Sequence, residues 1–183
     1  MAFIPEITTR VSVKANTENL DNSIELMESS SILSQCFGEV IEYLQNSKTE
    51  LSELEDPTAN AVADTLSAWQ SAIIKTKHYV TGMMANSVDV MKDGDGVYMV
   101  GNTAMSVDGF PYPLAIEEGT VSHYVAPVTF KALHWIQNGE DRFSKGHYVS
   151  GITADPYVDY SIDNTEDEVE AIIMPYIERI LGD

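Results

Sequence analysis

The residues with packing potential change period midway along this chain. Val62, Leu66, Trp69, Ile73, Thr76, Val80 and Met83 recur every three or four positions, whereas Val88 and Val90, then Val97-Tyr98-Met99-Val100, follow a period of two. The first spacing predicts one face of an amphipathic helix over 57–84, and the second predicts paired strands. Asp93-Gly94-Asp95-Gly96 lies between the two alternating runs, and an Asp-Gly turn accepts the positive φ that a tight hairpin needs. Asp56-Pro57 reads as an N-cap followed by proline at the first helical position.

The flanking segments repeat these two patterns. Ile7, Thr9, Val11, Val13 and Ala15 alternate with Thr8, Arg10, Ser12 and Lys14, which predicts a half-buried strand over 7–15. Thr17 is placed to cap a helix bearing Leu20, Ile24 and Met27. Leu33, Cys36, Phe37, Val40, Ile41 and Leu44 form a second helical stripe, with Ser29-Ser30-Ser31 as the break between. Cys36 lies inside that stripe, so core packing is expected of it rather than redox chemistry. After residue 100 the pattern predicts short strands and a long loop through 101–122, then a strand over 124–130. Residues 129–137 suit strand or helix, and a hairpin is expected from Arg142 to Ile152. Thr165-Glu166-Asp167-Glu168 has the spacing of a capping box. Val169, Ile172, Ile173, Tyr176, Ile177 and Ile180 follow as the apolar face of a closing helix, which Pro175 should kink or shorten. Strand, helices, strands and helix in that order define an α+β fold with a small antiparallel sheet. The expected organisation is an N-terminal strand and helical segment over 1–56 and a core over 57–183, together one compact domain.

Charge limits the partners. The 183 residues carry 29 acids and 10 bases, a net charge of −19. Ten acids and one base lie between Glu18 and Asp56, and nine acids and one base between Asp155 and Asp183. Such a surface does not grip phosphates through a long-range field. Solvated helix faces, a salt-rich host cytoplasm, or a surface that must lie beside DNA without sticking to it would each produce this bias. The single cysteine excludes an internal disulfide. No apolar run approaches the ~20 residues of a membrane-spanning helix, and the first residues lack the basic and apolar regions of a signal peptide.

The residue types of catalysis are present without the spacing of catalysis. Glu117 and Glu118 are adjacent, and on a strand they would face opposite sides. His78, His123, His134 and His147 include no local pair of the kind a zinc site uses. Val97 stands where a calcium loop starting at Asp93 needs an oxygen ligand. No nucleophile elbow or phosphate loop occurs, and the glycine of Val80-Thr81-Gly82-Met83-Met84 suits a helix end. The expectation is therefore no enzyme, no cofactor and no metal, with a metal-dependent enzyme as the alternative that convergent histidines would favour. The segments 101–122 and 139–155 are rich in Tyr, Pro, Gly and apolar residues. Long loops of that composition need a covering surface, often another subunit.

Several short motifs, in order, resemble the tail-completion proteins of long-tailed double-stranded-DNA phages. Thr81-Gly82-Met83-Met84-Ala85-Asn86-Ser87-Val88 is similar to the family's TG-x-L-x-x-S-I signature, with Met84 for leucine and Val88 for isoleucine. Tyr112, then Glu117-Glu118-Gly119-Thr120, resembles a tyrosine-led strand ending in E-x-G-T. Ala126-Pro127 and Lys131-Ala132-Leu133 resemble the proline-containing segment that follows. Ser150-Gly151-Ile152-Thr153-Ala154-Asp155-Pro156-Tyr157 stands where longer members carry P-G-I-x-x-x-P-F. The likeness spans roughly 60–181. It implies a structural virion protein made in the host cytoplasm. It would form a ring, a hexamer in the family pattern, between a head-side connector and the tail tube or tail terminator. Genomic DNA would pass through without specific binding, and no membrane would be involved. A tail-terminator or head-closure protein is the nearest alternative. The implied assembly loops contain Phe110, Tyr112, Leu114, Glu118, Gly119, Thr120, Pro127, Tyr148 and Ile152.

Overall fold

The computed structural model describes residues 3–29, 31–78, 81–107 and 109–181. Ser30 and Val80, and the side chains of Leu33 and Ile180, lie outside the described residues. The fold is α+β. Among the described residues the helices are α1 (Glu18–Glu28), α2 (Ser31–Cys36), α3 (Gly38–Lys77), α4 (Tyr112–Glu117) and α5 (Tyr157–Leu181). The strands are β1 (Thr9–Ser12), β2 (Val88–Gly94), β3 (Val97–Asn102), β4 (His123–Val125), β5 (Leu133–Gln137), β6 (Glu140–Ser144) and β7 (His147–Val149). None of these helices is long and apolar enough to cross a membrane.

The body packs α3 and α5 against an antiparallel sheet of order β1-β3-β2. The hairpin expected at 88–100 is present, with Val90 opposite Val100 and Gly96 at a φ of 65° in its turn. β1 is shorter than the 7–15 run because Pro5–Ile7 forms a 3-10 turn, yet the alternation holds. Ile7 and Val11 are buried while Arg10 and Ser12 are exposed. Val11, Tyr98 and Val100 from the sheet meet Ala59, Ala63 and Leu66 of α3 in one core cluster. Ile4, Ile7, Ile74, Met84, Tyr157 and Val158 build a second, against which Tyr112, Leu114 and Ile116 pack. The two alanines let the sheet approach α3 closely, and burial of the larger aliphatic side chains contributes about 1.5–3 kcal/mol each.

Two cap signals are overridden. Pro57 does not start a helix: α3 runs unbroken for 40 residues across it, and through the 56/57 boundary drawn between the two segments. The Asp56 carboxylate is engaged across the chain instead, accepting from Lys92 Nζ at 2.7 Å, Gly96 N at 3.0 Å and the Tyr98 hydroxyl at 3.3 Å. Leu54, Thr58 and Ala59 are all buried, so packing on both sides of Pro57 offsets its missing donor. The far end of α3 also differs from expectation, stopping at Lys77 rather than 84. Thr165 is likewise no cap. It is buried inside α5, and its hydroxyl donates to the Ser161 carbonyl at 2.8 Å. α5 continues through Pro175.

The expectation of a core-packed Cys36 is also corrected: its side chain is exposed, as are Phe37 and Val40, and in that stripe Ile41 is buried. The stripe therefore exists, but most of it faces away from the body. Thr17 sits at the start of α1, and its hydroxyl bonds the Asp21 carboxylate rather than a backbone amide.

Candidate assembly surface

Residues between α4 and α5 form a separate arm. Of the described residues, none from 116 to 156 is buried. Two ribbons compose it. β4 pairs with β7, placing Tyr124 opposite Tyr148 with their rings edge to face at 5.2 Å. β5 pairs with β6 around Asn138 and Gly139, whose φ values of 54° and 80° close a two-residue turn. The hairpin thus lies earlier than the expected 142–152 segment. Residues 129–137 resolve as an approach followed by strand, and the strand expected over 124–130 shortens to β4. His134 stacks on Phe143 at 4.8 Å and meets Asp141 Oδ1 at 2.6 Å, while Trp135 lies against His147 at 5.1 Å.

A narrow stem joins the arm to the body. Thr120 N donates to the Ile152 carbonyl at 2.8 Å, and Ile152 N donates to the Thr120 hydroxyl at 3.0 Å. Gly119 turns at a φ of 75°, and a Cβ there would meet Ala154 N and Ile152 O at 2.7 Å. A Cβ on Gly151 would overlap the Thr120 carbonyl. The two glycines let the outgoing and returning chains cross in contact. Glu117-Glu118-Gly119-Thr120 and Ser150-Gly151-Ile152 therefore sit together as a shape.

The two glutamates have separate fates. Where the resemblance implied a tyrosine-led strand ending in Glu117-Glu118-Gly119-Thr120, Tyr112–Glu117 is helix α4, because Pro111 and Pro113 occupy positions suited to a helix start. Glu117 Oε2 accepts from Val158 N at 3.1 Å, satisfying a free donor in the first turn of α5. Burial holds its carboxyl above the usual carboxylate range, with the charges of Asp159 and Asp155 adding to the effect. Glu118 is exposed. Asp155 clamps the end of α3, with Lys77 Nζ at 3.0 Å and His78 Nε2 at 3.1 Å. His78 therefore belongs to the body, and the other three histidines to the arm. Among the described residues no three of His, Cys, Asp and Glu gather as a metal site.

The expected assembly residues divide. Tyr112 and Leu114 pack on the body core, and Gly119 and Thr120 build the stem. Phe110, Tyr148 and Ile152 are exposed, and Pro127 is half-buried in the arm. Sequence reasoning missed Val128, Phe130, Ile136 and Phe143, all exposed. Phe130 is 80 % exposed and Tyr148 74 %. The Asn138-Gly139 signal could have located the β5–β6 ribbon that carries two of them. An open hollow of about 1020 Å³ lies in the arm, lined by Pro127, Val128, Phe130, Leu133, His134 and Phe143 among others. A cleft of the body beside His78 and Tyr112 is about 220 Å³, below the roughly 300–1,000 Å³ typical of ligand sites, and another beside Glu50, Glu53 and Arg179 is about 380 Å³. The arm is thus suited to covering by protein, with main-chain edges and apolar faces both available. No protein-family model matches the chain, and neither curated proteins nor solved structures yielded a match.

Proposed function

We propose that this chain is a structural subunit of a phage neck, forming a ring that completes the tail and joins it to the head connector. One observation carries the reading: the arm exposes aromatic and aliphatic side chains on a scaffold with no core of its own. Such a surface is stable in water when a neighbouring chain covers it. The ordered likeness to tail-completion proteins over roughly 60–181 supports the choice of assembly. In this reading the stem motifs supply geometry, and the arm supplies contact. A heterologous contact repeated around an axis closes into a ring. The net charge of −19 suits a channel past which DNA slides without being held. Light scattering across a concentration series, with negative-stain imaging of the peak fractions, tests the proposal. Closed rings are expected, alone or with the connector and tail-tube products of adjacent genes. A chain that stays monomeric at every concentration and ignores both neighbours would remove the basis for it.

A further inference from the structure

We infer that helix α1 is a strap whose docking on α3 is set by ionic strength. The inference goes beyond the neck reading and stands without it. No residue of α1 is buried. Leu20, Ile24 and Met27 are its half-buried apolar residues, and they recur every three or four positions on one face. In the first turns of α3, Ile41, Leu44, Ser47 and Lys48 are the better-covered residues, again on one face. The Lys48–Asp21 ion pair and a 3.1 Å hydrogen bond from Gln45 Nε2 to Glu28 Oε1 bring the two stripes together. Ile41 is buried yet belongs to neither core cluster, so what encloses it is the turn-back of α1 and α2.

The seam brings like charges together. α1 carries Glu18, Asp21, Glu25 and Glu28 and no base, and α2 carries no charge. From Gly38 to Glu53, α3 carries Glu39, Glu42, Glu50 and Glu53 against Lys48 alone. Arg179 of α5 shares a cleft with Glu50 and Glu53 and offsets those two. Lys48 is taken by Asp21, which leaves Glu18, Glu25 and Glu28 against Glu39 and Glu42, all exposed. Packed helices run roughly 8–10 Å apart. Two like charges about 10 Å apart in water disfavour contact about twofold. Screening decides the sign. The Debye length falls from about 30 Å at 0.01 M salt to about 3 Å at 1 M, so salt removes the repulsion across the seam. The Lys48–Asp21 pair is in contact and loses the least. It also contributes little, because both side chains are nearly half exposed. Salt therefore docks the strap, and low salt frees it. Freed, α1 uncovers Ile41 and Leu44 beside the exposed Phe37 and Val40, which lengthens the apolar stripe at the start of α3.

Hydrogen exchange read by mass spectrometry on the full-length chain, kept dilute, tests this at about 0.01 M and about 0.5 M sodium chloride. Amides of 20–28 are compared with those of 59–74, where α3 is buried in the core, so that a general effect of salt cancels. Protection of α1 should rise at least about threefold at the higher salt, while 59–74 hold steady. Glu39→Gln with Glu42→Gln removes two acids from α3 and leaves the sequence of α1 untouched. In that variant α1 should gain protection at low salt and lose most of its salt dependence. Lys48→Met keeps the side-chain bulk and removes the one base, so α1 should lose protection at low salt. Equal protection of the parent's α1 at the two salts would overturn the strap, because the seam charges would then not govern docking. A fall with salt would overturn it too, by showing that the Lys48–Asp21 pair dominates. So would a double glutamine variant that matches the parent at low salt. None of these outcomes depends on assembly. A chain that never forms rings fails the neck reading and leaves the strap standing.

Discussion

Replace residues 121–151 by a short Gly-Asn-Gly-Ser linker between Thr120 and Ile152. The body should still fold, because none of the described residues from 116 to 156 is buried and both core clusters lie outside the arm. The Thr120–Ile152 backbone hydrogen bond at 2.8 Å already holds the two ends together. Shortening the connection from on the order of thirty residues to about four is roughly three halvings, which relieves about 2 kcal/mol of loop-closure entropy. For a chain of this size that corresponds to a rise in melting temperature of roughly 4–8 °C at most. Calorimetry should show a single cooperative transition at or above that of the parent, and light scattering should show a monomer. A fall of more than about 8 °C, or loss of the transition, would mean that the arm contributes to the core. Undiminished self-association would mean that the contact surface lies elsewhere.

Three further outcomes follow from single residues. Tyr157 is fully buried, its hydroxyl has no hydrogen-bond partner, and burial and the charge of Glu117 push its pKa up. Tyr157→Phe should therefore raise stability by about 1–3 kcal/mol, read by urea titration, whereas a loss would reveal a missed partner. The folded-state carboxyl of Glu117 is raised, so its contribution is fully present below the ordinary carboxylate value and is lost as pH climbs through the raised one. Glu117→Gln, which keeps an acceptor for Val158 N, should flatten the fall in melting temperature as pH climbs above the ordinary carboxylate value. Gly151→Ala forces a Cβ onto the Thr120 carbonyl and should cost about 1–3 kcal/mol, with faster tryptic cutting at Lys131, Arg142 and Lys145. Unchanged cutting would show that the stem can spread.

Patterns that depend on a residue's own side chain and its partner a turn away were legible. The 88–102 hairpin, the face bearing Ile7 and Val11, the break near Ser29 and the closing helix all follow from local periodicity. The failures come from distance in the sequence. Asp56 looks like a cap until Lys92, Gly96 and Tyr98 claim its carboxylate from about forty residues away. Thr165 looks like a cap until the packing of α5 beyond it makes its hydroxyl bond backward. The Cys36 stripe has helical period and little burial, because periodicity marks an apolar face and is silent about what covers it. Of the arm, the apolar composition was readable and the stem glycines were visible as Gly119 and Gly151. Their apposition needed three dimensions.

The strand order β1-β3-β2 leaves β2 on a sheet margin, and that margin bears Asp89, Lys92 and Asp93, all exposed. Charges so placed discourage a stranger's backbone from zipping on, so concentrated protein should not grow fibrils from its body. β6 is guarded in the same way by Glu140, Asp141 and Arg142, all exposed, whereas the ribbon β4–β7 bears no Asp, Glu, Lys or Arg. Precipitation during purification would then begin there, and a soluble additive that shields Tyr124 and Tyr148 should delay turbidity where one directed at the main sheet would not.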